Sequence, residues 1–234
     1  MRSYGMAEPD TLFELLRGDQ VFIADLPDLI PEDLVLPDNF KVVGPLTWTG
    51  WERDDNFPVE KFRSKPVLYI TMGSTIDAET ILLKLIQSVC DLPYNIIIST
   101  GSIPPVLSEV PDNVHLFSYV PGNYVASISS LVIYHGGHET LMQVLACGIP
   151  SLVIPVNPDQ ILVARQIRMH GLGDYLKYPG SFPMEKDPLK KFTPDVIASS
   201  VKKIITDPKY QEKCRAMASI MNEFISQRRF IQLL

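Results

Sequence analysis

The chain has 234 residues, 46% of them hydrophobic and 21% charged, with a formal net charge of −6, which supplies ample apolar material for a core. An acidic balance without a basic stripe argues against nucleic acid as a partner; the basic clusters at Lys186, Lys190 and Lys191 and at Arg228 and Arg229 read as solvated surface. No run approaches the roughly 20 apolar residues that span a bilayer, and residues 1–10 carry no apolar run resembling a signal peptide, so the expectation is a soluble cytoplasmic protein.

In chain order, residues 1–65 are rich in proline and acids, with a helix expected over residues 11–17 and a strand over 21–24. Pro27, Pro31 and Pro37 then impose an extended or turning path. Residues 44–66, with Trp48, Trp51, Asp54 and Asp55, look like an ordered linker or edge. From Pro66 a regular alternation begins. Apolar runs at 67–71, 95–100, 114–119, 131–134 and 151–154 alternate with helical patterns over 78–89, 123–128, from about Gly137, and over 158–170. Two further helices are expected over 194–205 and from Pro208 to about Phe224. Apolar runs without alternation are strands buried on both faces, and helices between them cover those faces. The succession predicts an α/β fold with a doubly wound, Rossmann-like parallel sheet.

Cys90, Cys147 and Cys214 lie far apart without CxxC spacing. Zinc is therefore not expected, and reduced thiols are; Cys90 and Cys147 sit in apolar helical stretches as small hydrophobes.

In doubly wound sheets ligands bind beyond the carboxyl ends of the strands. That edge gathers Gly73 and Ser74, Gly101, Tyr119 to Gly122, His135 to Thr140, and Pro155 to Gln160. The stretch from His135 to Thr140 (HGGHET) joins a buried strand to a helix. Its two glycines leave the backbone open to a ligand, and the helix start offers N–H groups and a positive dipole end that suit a diphosphate. Thr140 lies in the first turn, His135 at the strand end, and Gln143 shares a helix face with Glu139 and Thr140. The alternative is a tight turn whose glycines serve packing. No GxGxxG follows the first strand of this zone, which disfavours an ordinary dinucleotide fold.

The run from His135 to Gln160, HGGHETLMQVLACGIPSLVIPVNPDQ, resembles the donor-binding signature of the family 1 glycosyltransferases, the UDP-sugar-dependent and macrolide-type enzymes of the GT-B fold. The matching residues are His135, Gly136 and Gly137, Thr140, Ala146 to Pro150, and Asp159 with Gln160. SYVPG at 118–122 is similar to the aromatic-x-Pro-Gln element of that family, and Gly44 with Pro45 and Gly73 with Ser74 match its landmarks in order and spacing. The likeness covers residues 10–222. It implies that His135, Gly136, Gly137 and Thr140 hold the donor diphosphate, with Ser74 reaching it from the preceding loop. It implies that Tyr119 stacks on the base, that Val120, Gly122 and Gln143 complete the base and ribose site, and that Asp159 and Gln160 bind the donor sugar. It implies no metal and no further cofactor, because the helix terminus and His135 stabilise the departing diphosphate.

Two positions depart from the family pattern: Gly122 stands where many relatives carry Gln, and Gln143 where the ribose-binding Glu is usual. Glu139 reads as a first-turn acid complementing the dipole, His138 as solvent-facing, and His115 and His170 as without a role. The resemblance divides the chain into an acceptor-domain remnant and linker at 1–40, a donor domain at 41–222 and a tail at 223–234. The acceptor domain with its general base precedes this stretch in the family, so no catalytic residue is assigned. The expected function is to bind a UDP- or dTDP-sugar for hexose transfer to an acceptor hydroxyl, without activity unless an acceptor domain is supplied. A non-catalytic nucleotide-sugar-binding module or degenerate fragment is the alternative, and a nucleotide-sugar 2-epimerase relative a more distant one. The expected partners are the nucleotide sugar and either an acceptor-domain protein or a second copy, engaged through Phe230, Ile231, Leu233 and Leu234.

Overall fold

Four- to six-residue apolar runs closed by glycine, proline or a polar residue set most of the strands. The computed structural model describes residues 18–31, 33–46, 57–73, 79–101, 109–176 and 189–226. The expected helix at 11–17, Trp48, Trp51, Asp54, Asp55, Ser74, Lys186, Arg228, Arg229 and the apolar tail residues 230–234 lie outside them.

The chain forms two compact units, Thr47–Asn222, and Met1–Leu46 together with Glu223–Leu234. In the smaller unit β1 (Val21–Ile23) pairs in parallel with β2 (Phe40–Val42), Val21 opposite Phe40. A short 3-10 turn at Pro27–Leu29 lies between them and buries Leu29. The proline-rich path therefore contains a second strand, β2, that the sequence pattern did not single out. Gly44 has φ +88°, and a Cβ there would come 2.9 Å from Phe224 Cδ1, so both backbone and contact require glycine.

In the larger unit β3 (Val67–Thr71), β4 (Asn95–Ser99), β5 (Val114–Phe117), β6 (Ser129–Tyr134), β7 (Ser151–Val153) and β8 (Gly173–Tyr175) form one parallel sheet in the order β5-β4-β3-β6-β7-β8. The helices are α1 (Glu79–Val89), α2 (Gly122–Ser127), α3 (His138–Cys147), α4 (Pro158–Met169), α5 (Pro194–Thr206) and α6 (Pro208–Ser226). Alternate strand residues face opposite sides. One side is largely apolar: Leu68, Ile70, Ile96, Ile98, Leu131, Ile133 and Leu152 pack with Leu82 and Leu85 of α1 and Ile197 and Val201 of α5. Each such fully buried aliphatic side chain contributes about 2 kcal/mol. The residues of opposite parity include Tyr69, Thr71, Ser99, His115, Tyr134 and Ser151, so most polar groups lie on the other face, Asp174 of β8, in register with Leu152, being an exception.

The strand β8 was not expected, because GDY carries no apolar run. Its place is fixed otherwise. A Cβ at Gly173 would collide with the Ser151 carbonyl, so β8 can pair with β7 only with glycine there. Asp174 then takes Arg168 of α4 and Lys203 of α5, each at 3.2 Å. A 3-10 turn at Val59–Phe62 is also new; it seats Phe62 edge-on to His115, ring centroids 4.9 Å apart. The three thiols are unpaired. Burial pushes Cys147 up to about 11 and Cys214 up to about 12, as suits inert packing residues. Among the described residues no helix is long and apolar enough to cross a membrane.

Candidate nucleotide-sugar site

The sheet order reverses between β3 and β6. Chain connections diverge there to opposite faces and leave a crevice at the carboxyl ends of the two strands. Thr71 and Tyr134 end the two strands in register, so the residues that follow them, Gly73 and His135, are brought together. A Cβ at Gly73 would lie 3.0 Å from His135 Cε1 and 3.1 Å from Nε2, and Gly73 also has φ +72°. The imidazole also lies against Gly137, where a Cβ would come 2.6 Å from Nε2. His135 thus stands wedged against two glycines at the opening of α3.

The crevice corrects the reason given for the glycines. The space beside them is filled by the protein rather than left open to a ligand: Gly137 faces the imidazole, and Gly136, at φ +95°, faces Val153 Cγ1 at 3.0 Å and Gln160 Cβ at 3.1 Å. Small residues at 136 and 137 let the imidazole and α4 close on the turn. The amino end of α3 itself stays accessible. Gly137 is its N-cap and no side chain caps the helix; His138 and Glu139 are exposed and Thr140 is half-buried. Leu141 N–H bonds back to the Gly137 carbonyl, and the N–H groups of the preceding turn point along the axis with the positive end of the dipole.

His135 is half-buried, and its Nδ1 is buried without a hydrogen-bond partner of good geometry. Burial lowers its pKa from the ordinary value, and the Thr71 carbonyl and the Asp159 carboxylate offset this only in part. At neutral pH the ring is neutral, a hydrogen-bond donor rather than a fixed cation. The close approach of Gly136 to Gln160 puts the opening of α4 on the same crevice.

At that opening Asp159 is exposed and Gln160 is buried. The Gln160 Oε1 accepts from Val156 N–H at 2.8 Å and Asn157 N–H at 3.0 Å, closing a capping box with Asn157. Its oxygen therefore serves α4, and only the amide nitrogen is left for another partner. The Asn157 and Gln160 spacing is the capping signal that the sequence reading passed over.

On the other side of α3, Tyr119 is 62% exposed beyond β5, Val120 is buried, and Gly122 opens α2 after the N-cap Pro121. The two departures from the family pattern touch each other: a Cβ at Gly122 would come 2.8 Å from Gln143 Oε1. Tyr69, which the sequence reading did not single out, brings its hydroxyl to 3.8 Å from the same point. Diphosphate, base and sugar candidates thus line one edge of the sheet, apart from Ser74, which lies outside the described residues. His138 has neighbours of its own. An open cavity of about 520 Å³ lies elsewhere, lined by Ser129, Cys147, Pro150, Ile204 and Arg215. It adjoins the amino end of β6, the carboxyl end of α3 and the start of α6, away from the carboxyl edge of the sheet. Among the described residues no group of His, Cys, Asp or Glu is arranged to hold a metal ion.

The six-stranded parallel sheet and its helices match the carboxyl-terminal half of the GT-B glycosyltransferase fold. Residues 83–228 match the family described as erythromycin biosynthesis protein CIII-like, C-terminal domain, and the chain belongs to that family. A PGL/p-HBAD biosynthesis glycosyltransferase of Mycobacterium tuberculosis is 27% identical over 201 residues, 86% of this chain and 44% of the relative. The chain thus spans less than half the length of that relative. Among solved structures, the glycotransferase of kitacinnamycin superposes with a TM-score of 0.73 at 20% identity, covering 88% of this chain and 51% of the other. The glycosyltransferase VinC, in complex with dTDP, gives 0.59 at 18% identity, covering 84% and 46%.

Proposed function

We propose that this chain binds a UDP- or dTDP-sugar as the donor half of a glycosyltransferase, with the diphosphate at the amino end of α3. The observation that carries the reading is the uncapped helix tip at the sheet's switch point, with the neutral His135 imidazole wedged beside it. The N–H groups of the first turn and the dipole favour an anion there. His135 and the Thr140 hydroxyl donate to phosphate oxygens, and the same donors stabilise the charge that grows on the leaving diphosphate as the sugar departs. Tyr119, exposed at the next loop, offers a stacking surface for the base, and Val120, Gly122 and Gln143 close the base and ribose side. Asp159 and the Gln160 amide nitrogen take hydroxyls of the sugar, and Ser74 completes the phosphate loop. No metal is required for the charge to be met.

The donor domain in this reading is residues 41–222, flanked by 1–40 and 223–234. It works in the cytoplasm, as its unpaired thiols suit. Transfer of a hexose to a hydroxyl needs an acceptor oriented against the donor, so activity depends on an acceptor-binding half. Titration calorimetry with UDP, dTDP and their glucose conjugates tests the reading. Binding of at least one diphosphate, weakened about tenfold or more in His135→Ala, is expected; absence of binding by all four, with the protein folded, defeats it.

A further inference from the structure

Gln143 stands one helical turn beyond Glu139 on α3, and its Nε2 donates to Glu139 Oε1 at 3.3 Å. An ionised carboxylate only accepts, whereas an amide has a donating and an accepting end. The amide must therefore turn its nitrogen to Glu139 and its oxygen away. The oxygen faces Gly122, 2.8 Å from where a Cβ would stand, and the absence of a side chain at 122 leaves it room. Along the helix axis, Gln143 lies roughly 4.5 Å past Thr140.

We propose that Glu139 is a positioning residue: by holding the Gln143 amide nitrogen, it fixes the amide oxygen on the Gly122 side and makes that side chain a dedicated acceptor for a ribose hydroxyl. Without the carboxylate behind it the amide can present either end, and a hydroxyl donor loses its matched partner for part of the time. The Tyr69 hydroxyl lies beside the same oxygen, 3.8 Å from where a Cβ at Gly122 would stand. Burial pushes its phenol up to about 12, so its hydroxyl keeps its proton, and the Thr71 and Ser99 hydroxyls lie within its hydrogen-bonding reach. The inference rests on the nucleotide-sugar reading above and adds the polarity of the ribose contact and the residue that sets it.

The test is calorimetric titration of the full chain, and of its Glu139→Gln and Gln143→Leu variants, with UDP, 2′-deoxy-UDP and 3′-deoxy-UDP. The wild type is expected to prefer UDP over at least one deoxy analogue. Glu139→Gln, which is isosteric, narrows that preference about threefold with an unchanged melting temperature, and Gln143→Leu abolishes it. The ratio is the decisive readout, because loss of a negative charge near the phosphates shifts all three affinities together and cancels. An unchanged ratio in Glu139→Gln, or no discrimination by the wild type, overturns the inference while leaving diphosphate binding intact. Failure of the wild type to bind any of the three removes the nucleotide-sugar reading and the inference with it.

Discussion

A methyl group at Gly137 would come 2.6 Å from His135 Nε2, so Gly137→Ala has to push the imidazole out of its wedge. The variant is expected to lose about 1–3 kcal/mol of stability through overpacking and to bind nucleoside diphosphate more weakly. Gly148→Ala is the control. Gly148 ends α3 at φ +66°, so alanine costs about 1–2 kcal/mol of backbone strain with nucleotide affinity unchanged. Urea denaturation and calorimetry on the pair separate the two effects. At Gly122 the expected cost of alanine is a clash with Gln143 Oε1, and Gln143→Ala relieves it. A double-mutant cycle on stability should therefore show coupling of about 0.5–3 kcal/mol; simple additivity would deny the contact. The histidines add a pH dependence. Both His135 and His115 are held below the ordinary value, chiefly by burial and, at His115, by Lys61 as well. The unfolded chain then binds more protons than the folded one below about pH 6.5, and stability falls as pH is lowered through that range. Replacing both by glutamine should flatten the fall in urea midpoint between pH 7 and pH 5.

At the scale of elements, the opening of α4 shows how a candidate ligand can also be a structural residue. Removing the Gln160 oxygen leaves the N–H groups of Val156 and Asn157 without their acceptor. Gln160→Ala is accordingly expected to lower stability by about 1–3 kcal/mol in the absence of any sugar, read from thermal or urea unfolding. A variant as stable as the wild type would return Gln160 to ligand binding alone. The same element shows what a sequence does and does not reveal. The strands β3, β4, β6 and β7 were legible because VLYIT, NIIIS, LVIY and SLV are apolar runs buried on both faces, and all but NIIIS are followed by a helical repeat. The strands β2 and β8 were not, since FKV and GDY are three residues long and have no apolar excess; pairing with β1 and β7, and the Asp174 ion pairs, define them. The convergence of His135, Thr140 and Asp159 on one edge followed from the alternation of strand and helix. The wedging of His135 by Gly73 and Gly137, and the contact of Gln143 with Gly122, depend on side-chain directions across elements. Spacing along the chain carries no record of those.

At the scale of the molecule, the sheet has one largely apolar face sealed by α1 and α5 and one flecked with hydroxyls and rings. The crevice opens where the connections change face, between β3 and β6. Family membership and the shared fold say what this half is related to; the placement of a diphosphate is a matter of the helix tip. A crystal structure of the chain with UDP or dTDP bound examines that placement most directly. The account predicts phosphate oxygens within hydrogen-bonding distance of the N–H groups of the first turn of α3 and of the His135 imidazole. A nucleotide seated elsewhere, such as the cavity beside Cys147 and Arg215, with the α3 tip occupied only by solvent, would contradict it.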